Sequence, residues 1–196
     1  MKYIYYCVNL TSYLTFFTDS FFFFFFYYFL QNTICCRLTL TRKDETRIIM
    51  HIHFMGWPDF GTPHEYDSLL TVLEETDVYE GVPIVHCSAG VGRAMTAISC
   101  LITLRKLKAC LSLAARSNGG SESSGGGGGG GAGDLHNDMS KAPWWERHGC
   151  LHDPLDIPGT VTRLRQQRHG AVVNYGQYEM IFRFVLHWLR ASTHRM

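Results

Sequence analysis

His86-Cys87-Ser88-Ala89-Gly90-Val91-Gly92-Arg93 is the stretch on which the reading of this 196-residue chain turns. An apolar run, Val82 to Val85, leads into it, and an apolar helical pattern leads out from Ala94. A cysteine therefore falls between a strand and a helix, in a tight loop that carries two glycines. Loop amides that point at one spot, and the partial positive end of the helix, both favour a negative charge there. They would stabilise a thiolate on Cys87, and the amides of Ser88, Ala89, Gly90, Val91 and Gly92 would equally hold a phosphate. Arg93 adds a planar, two-pronged donor suited to phosphate oxygens. A lone cysteine is usually buried and inert. His, Cys, Gly, Gly and Arg at fixed spacing argue instead for a loop that supplies a nucleophile and a cradle for its target.

Composition narrows the setting. A formal net charge of +1, with no dominant basic block, argues against nucleic acid as a partner. Seven cysteines without a CxxC pair support neither a zinc site nor a disulfide framework. A reducing, cytoplasmic compartment is the expectation, and a working Cys87 thiolate requires one.

Residues 1–36 differ from the rest. Lys2 and Asp19 are their only charged residues, and Phe21–Phe26 continues through Tyr27, Tyr28, Phe29 and Leu30. That run is shorter than the roughly 20 apolar residues a spanning helix needs. Two origins compete with ordinary folded structure: a membrane anchor, and translation of a polypyrimidine tract from a retained intron. Membrane association is expected only if residues 1–31 are genuine.

Ordered sequence is expected from Arg37. Leu38–Thr41 and the alternating run Ile48, Met50, Ile52, Phe54 flank the polar turn Arg42–Glu45, which predicts a β-hairpin. His51 and His53 would lie on its opposite, half-exposed face; two histidines without a third ligand do not make a metal site. Leu69, Leu70 and Leu73 predict a short amphipathic helix over 66–75. Apolar residues almost surround the helix predicted over Ala94–Cys110, so it should be buried. Residues 116–153, including Gly125–Gly131, read as a flexible insertion, with Trp144-Trp145 a loop patch inside it. Helices resume with Val161, Leu164 and Arg168 on one. A second begins at Gln177, its stripe Tyr178, Ile181, Phe182, Val185, Leu186 and Leu189.

Gly56-Trp57-Pro58-Asp59-Phe60-Gly61-Thr62-Pro63 is a loop by its glycines and prolines alone. Together with His86–Arg93, Leu164–Arg168 and Gln177-Tyr178, it resembles the cysteine-dependent protein tyrosine phosphatases, in the family's order. Trp-Pro-Asp favours the phosphotyrosine-specific branch. The resemblance covers about 37–113 and 154–190. It implies an α/β fold: a twisted mixed sheet flanked by helices, with the phosphate loop between a strand and a buried helix. The catalytic domain would span 37–190, N-terminally incomplete and interrupted at 116–153.

The implied activity is hydrolysis of phosphotyrosine in a protein substrate, through a cysteinyl-phosphate and without cofactor or metal. Cys87 would be the nucleophile, Asp59 the acid that protonates the leaving phenolate, and Arg93 the oxyanion donor. His86, Trp57 and Gln177 would support them. Three departures stand out. No phosphotyrosine-recognition loop precedes Arg37. Ala94-Met95 replace the usual hydroxyl residue and glycine, and Val173 replaces a water-positioning glutamine. A catalytically impaired phosphotyrosine-binding protein and a non-folding fragment are therefore the alternatives.

Overall fold

The alternation over Ile48–Phe54 builds the hairpin at the centre of the sheet. The computed structural model describes residues 4–9, 28–30, 32–42, 45–78, 83–118 and 153–193; of 4–9, 28–30, 40–42, 78 and 116–118 it describes the backbone alone. Strands β1 (Ile4–Asn9), β2 (Tyr28–Leu30), β3 (Thr33–Arg42), β4 (Glu45–Phe54) and β5 (Pro83–His86) form one mixed sheet, ordered β2-β3-β4-β1-β5. β3 and β4 pair antiparallel from Arg42 opposite Glu45 to Thr33 opposite Phe54. β3 thus begins at Thr33, earlier than the alternation suggested, with Cys35 and Cys36 buried near its start. β1 runs parallel to both β4 and β5, so part of the compositionally odd segment lies between two other strands. The tract Phe21–Phe26, the run Gly125–Gly131 and Trp144-Trp145 lie outside the described residues.

One expectation for β4 fails. His53 is 1% exposed and His51 is partly buried, although both were placed on a half-exposed face. The reason is that β4 is an inner strand, with β3 on one side and β1 on the other. Burial, followed by the neighbouring His53 and His86, lowers the His51 imidazole from 6.5 to about 4.

Among the described residues, four helices follow: α1 (Tyr66–Val78), α2 (Arg93–Asn118), α3 (Ile157–Gln167) and α4 (Tyr175–Thr193). α2 runs past Cys110, and beyond it Leu111 and Leu113 are exposed. Its core portion is buried almost all round: Ala94, Ala97, Cys100, Leu101, Ile102, Leu104 and Leu107 supply the apolar surface. Thr96, Ser99 and Thr103 are buried too, because each hydroxyl donates back to a carbonyl one turn earlier, on Gly92, Met95 and Ser99. Lys106, also buried, reaches Thr160 on α3 with its Nζ 2.9 Å from the hydroxyl.

α3 starts where Asp156 accepts the Gly159 N–H at 2.7 Å and Pro158 occupies the first turn. It ends one residue before Arg168, which lies just past the helix rather than on it. α4 buries Gln177, Met180, Ile181, Phe184, Val185 and Trp188. This corrects the predicted stripe: Phe182 and Leu186 face solvent, 41% and 47% exposed. Met180, Phe184 and Trp188 follow the i, i+4, i+8 line that faces the core, and Phe182 instead meets Tyr178 edge-on along the outer side. On the inner side Phe184 meets Tyr66 of α1 edge-on, with ring centres 6.1 Å apart.

The lowered imidazole of His51 has a definite sign. Above pH 6.5 it is neutral in both folded and unfolded chains and contributes no pH dependence. As pH falls from 6.5 to about 4 the unfolded chain takes up a proton that the folded one refuses, and stability drops. Urea unfolding across that range should show a loss of about 2 kcal/mol attributable to this residue, which His51→Gln removes. Parallel pH profiles for the two proteins would contradict it.

Candidate active site

The loop after β5 wraps around the Cys87 sulfur. The Gly90 N–H donates to Cys87 Sγ at 3.3 Å. Gly90 has φ +69°, the left-handed region that a side chain would strain. Gly92 packs closely for a different reason: a Cβ there would come within 3.1 Å of the Gln177 side-chain nitrogen, which would have to give way. The Gly92 carbonyl accepts the Thr96 N–H, so the loop passes directly into α2.

Arg93, the first residue of α2, is 2% exposed. One terminal nitrogen donates to the Trp57 carbonyl at 3.1 Å, and the other to the Ser88 hydroxyl at 3.2 Å. That second nitrogen also meets the Asp59 carboxylate. A buried guanidinium therefore joins the cysteine loop to the Trp57–Asp59 loop. Trp57 is fully buried and closes its own turn, Nε1 donating to the Gly61 carbonyl at 2.9 Å. Asp59 is half-exposed, and Phe60 beyond it is 83% exposed.

One cleft is lined by Asp59, Phe60, Cys87, Ser88, Ala89, Val91, Gly92, Arg93, Val173 and Gln177. Gln177 is 2% exposed, and its Oε1 accepts the Val173 N–H at 3.2 Å. Val173 presents a half-exposed apolar side chain to the cleft, and Ala94 lies fully buried behind the loop. His86 stands at the end of β5, its imidazole lowered by burial, with a hydrogen bond to the Cys87 backbone opposing and His53 adding to the effect. Of the predicted site residues, Asp59, Cys87, Ser88, Ala89, Val91, Gly92, Arg93 and Gln177 line this cleft; Trp57 meets it through Arg93, Gly90 through the Cys87 sulfur, and His86 precedes Cys87 in the chain. Among the described residues no group of three histidine, cysteine or acidic side chains is placed to hold a metal.

Sequence reading missed the supports. Arg165 donates from Nε to the Ala171 carbonyl at 2.9 Å and from a terminal nitrogen to the Val172 carbonyl at 3.0 Å. Val172 sits at φ +59°, an uncommon conformation for a β-branched residue, and its N–H donates to the Val91 carbonyl of the cysteine loop at 2.9 Å. Arg168 donates to the Ala89 carbonyl at 3.3 Å. Asn174 caps α4 by accepting the Gln177 N–H, and donates to the Phe60 carbonyl at 3.0 Å. Only the cap was legible, as Asn three residues before Gln at a helix start.

Residues 29–116 match the family model described as protein-tyrosine phosphatase. Human receptor-type tyrosine-protein phosphatase alpha is 40% identical over 159 residues, covering 79% of this chain and 15% of the relative. These matches support a protein tyrosine phosphatase. Mouse tyrosine-protein phosphatase non-receptor type 7 is 38% identical over 78 residues, 37% of this chain and 22% of that protein. Two solved phosphatases share the fold. The Trypanosoma brucei enzyme has a TM-score of 0.62 at 19% identity, matching 96% of this chain and 61% of its own. The catalytic domain of human non-receptor type 18 also has a TM-score of 0.62, at 18% identity, over 94% of this chain and 59% of its own. The chain thus spans less than a quarter of these curated relatives' length and about three-fifths of the solved chains. The α/β expectation and the family assignment both hold.

The twin hydrogen bonds of Arg165 hold Val172 in its left-handed conformation. Arg165→Met should lower stability by about 1 to 2 kcal/mol in urea unfolding, two hydrogen bonds at a part-buried site. A change below experimental error would show that the 171–173 segment keeps its shape without them.

Proposed function

We propose that this chain hydrolyses phosphotyrosine in protein substrates through a cysteinyl-phosphate. The observation that carries the reading is the meeting of Cys87, Arg93 and Asp59 in one cleft, with the Gly90 amide donating to the sulfur. The names of the relatives, tyrosine-protein phosphatases of receptor and non-receptor types, supply the substrate class.

The substrate's phosphate would take the Arg93 guanidinium and displace the Asp59 carboxylate that now rests on it. The Cys87 thiolate attacks phosphorus and forms the S–P bond. The P–O bond to the aryl group breaks, its electron pair goes to the phenolic oxygen, and Asp59 in its acid form gives that oxygen a proton. Backbone amides of Ser88 to Gly92, with Arg93, stabilise the equatorial oxygens. Water, deprotonated by Asp59, then attacks phosphorus and returns the thiolate. Residues 37–190 form the catalytic unit in this reading, with 116–153 an insertion.

The second step is the weaker one. Ala94 brings no hydroxyl to the loop, and Val173 presents an apolar surface where a polar group would orient water. Gln177 has its Oε1 occupied by the Val173 N–H, which leaves its amide nitrogen, beside Gly92, for that task. These observations favour one second reading, a phosphotyrosine-binding protein that turns over poorly.

The reading also places the protein where thiols stay reduced. Cys36, Cys87 and Cys100 are free thiols, and among the described residues no helix is long and apolar enough to cross a membrane. The family includes receptor and non-receptor members, so the compartment is proposed on thiol chemistry alone.

Hydrolysis of an aryl phosphate by the full chain, followed by phosphate release, tests the proposal. Cys87→Ser should abolish turnover and Asp59→Ala should lower kcat by about a hundredfold or more. Turnover that survives Cys87→Ser would exclude the mechanism. Tight phosphopeptide binding by calorimetry, with no phosphate released, would establish the second reading in its place.

A further inference from the structure

The loop that carries Asp59 is held over the cleft from two sides, and the two holds differ in kind. The first, from Arg93 to the Trp57 carbonyl and the Asp59 carboxylate, uses the same guanidinium that the phosphate must engage. The second, from the Asn174 side chain to the Phe60 carbonyl at 3.0 Å, involves no group that touches substrate. Its geometry is fixed from both ends. Asn174 Oδ1 accepts the Gln177 N–H at 2.9 Å, so the helix N-terminus orients the amide and leaves Nδ2 facing the loop. Phe60 adopts φ +59°, a conformation a non-glycine residue holds only against a cost, and its side chain is 83% exposed. The loop at this point therefore does not rest on burial of the phenyl ring; the hydrogen bond to Asn174 is what ties it to the frame.

We propose that Asn174 is a positioning residue that latches the Asp59 loop over the Cys87 cradle. The inference rests on the proposed phosphatase reaction and assigns to one residue of this chain a place in it. The latch sets the fraction of time that the Asp59 carboxyl lies within proton-transfer reach of the departing aryl oxygen. The consequence depends on the leaving group. Phenolate needs the proton as the P–O bond breaks, and 2,4-dinitrophenolate, a much weaker base, leaves without it. Loss of the latch should slow the first substrate and spare the second.

Asn174→Ser makes the separation. A serine hydroxyl still caps α4, and it is too short to reach the Phe60 carbonyl. In the full chain, kcat/KM for phenyl phosphate should fall about tenfold, the loss of one well-placed hydrogen bond, while that for 2,4-dinitrophenyl phosphate stays within about threefold of the parent. Adding Asn174→Ser to Asp59→Asn should produce no further loss on phenyl phosphate. A readout without turnover accompanies these. NMR relaxation dispersion on the Trp57 indole N–H, buried in the loop and bonded to Gly61, should report a larger open population in Asn174→Ser. Equal losses on both substrates, or Trp57 exchange identical to the parent, would overturn the proposal. Should the parent protein hydrolyse neither substrate, the phosphatase reading falls, and the Trp57 signal alone decides whether Asn174 is a latch.

Discussion

The guanidinium of Arg93 is the constraint to which the rest of the site answers. A charge that is 2% exposed must be met by polar partners, and its terminal nitrogens find the Trp57 carbonyl, the Ser88 hydroxyl and the Asp59 carboxylate. Those partners come from two loops, so the electrostatic demand of one side chain draws the Cys87 and Asp59 loops together. The position of Arg93 follows in turn from α2, whose buried apolar circumference and back-bonded hydroxyls hold its first turn against the core.

Behind the cradle, α3 and α4 act as a second frame. Arg168 holds the Ala89 carbonyl, Val172 holds that of Val91, and Gln177 packs closely against Gly92. Arg165 secures the segment that makes the second of these contacts. The cysteine loop is thus shaped from its own glycines on one side and from chain some 80 residues later on the other. This division explains why residues 165–177 belong to the same site as His86–Arg93.

Much of the fold was legible because its signals are local. Alternation at Ile48–Phe54, the loop prolines around Asp59 and the glycines after Cys87 each act within a few residues, and each element appears where they placed it. The failures are of another kind. His53 could not be recognised as buried, because that depends on β1 lying beside β4, a pairing that no alternation announces. Phe182 and Leu186 were taken for core because a helix rich in apolar residues on several sides does not declare which stripe faces inward. Arg165, Arg168 and Asn174 were missed as site residues because what they bond to are backbone carbonyls, which carry no residue identity in a sequence. Residue types revealed the chemistry, and tertiary hydrogen bonds revealed what holds it in place.

The central claim is that the Cys87 sulfur carries the phosphoryl group between two chemical steps. Rapid mixing of the full chain with an aryl phosphate, a quench within the first turnover, and mass spectrometry of the digested protein test it directly. The account predicts the mass of one phosphoryl group on the peptide containing Cys87, accumulating because Ala94 and Val173 slow its hydrolysis. Phosphate released at full rate with Cys87 unmodified at every time point would contradict it.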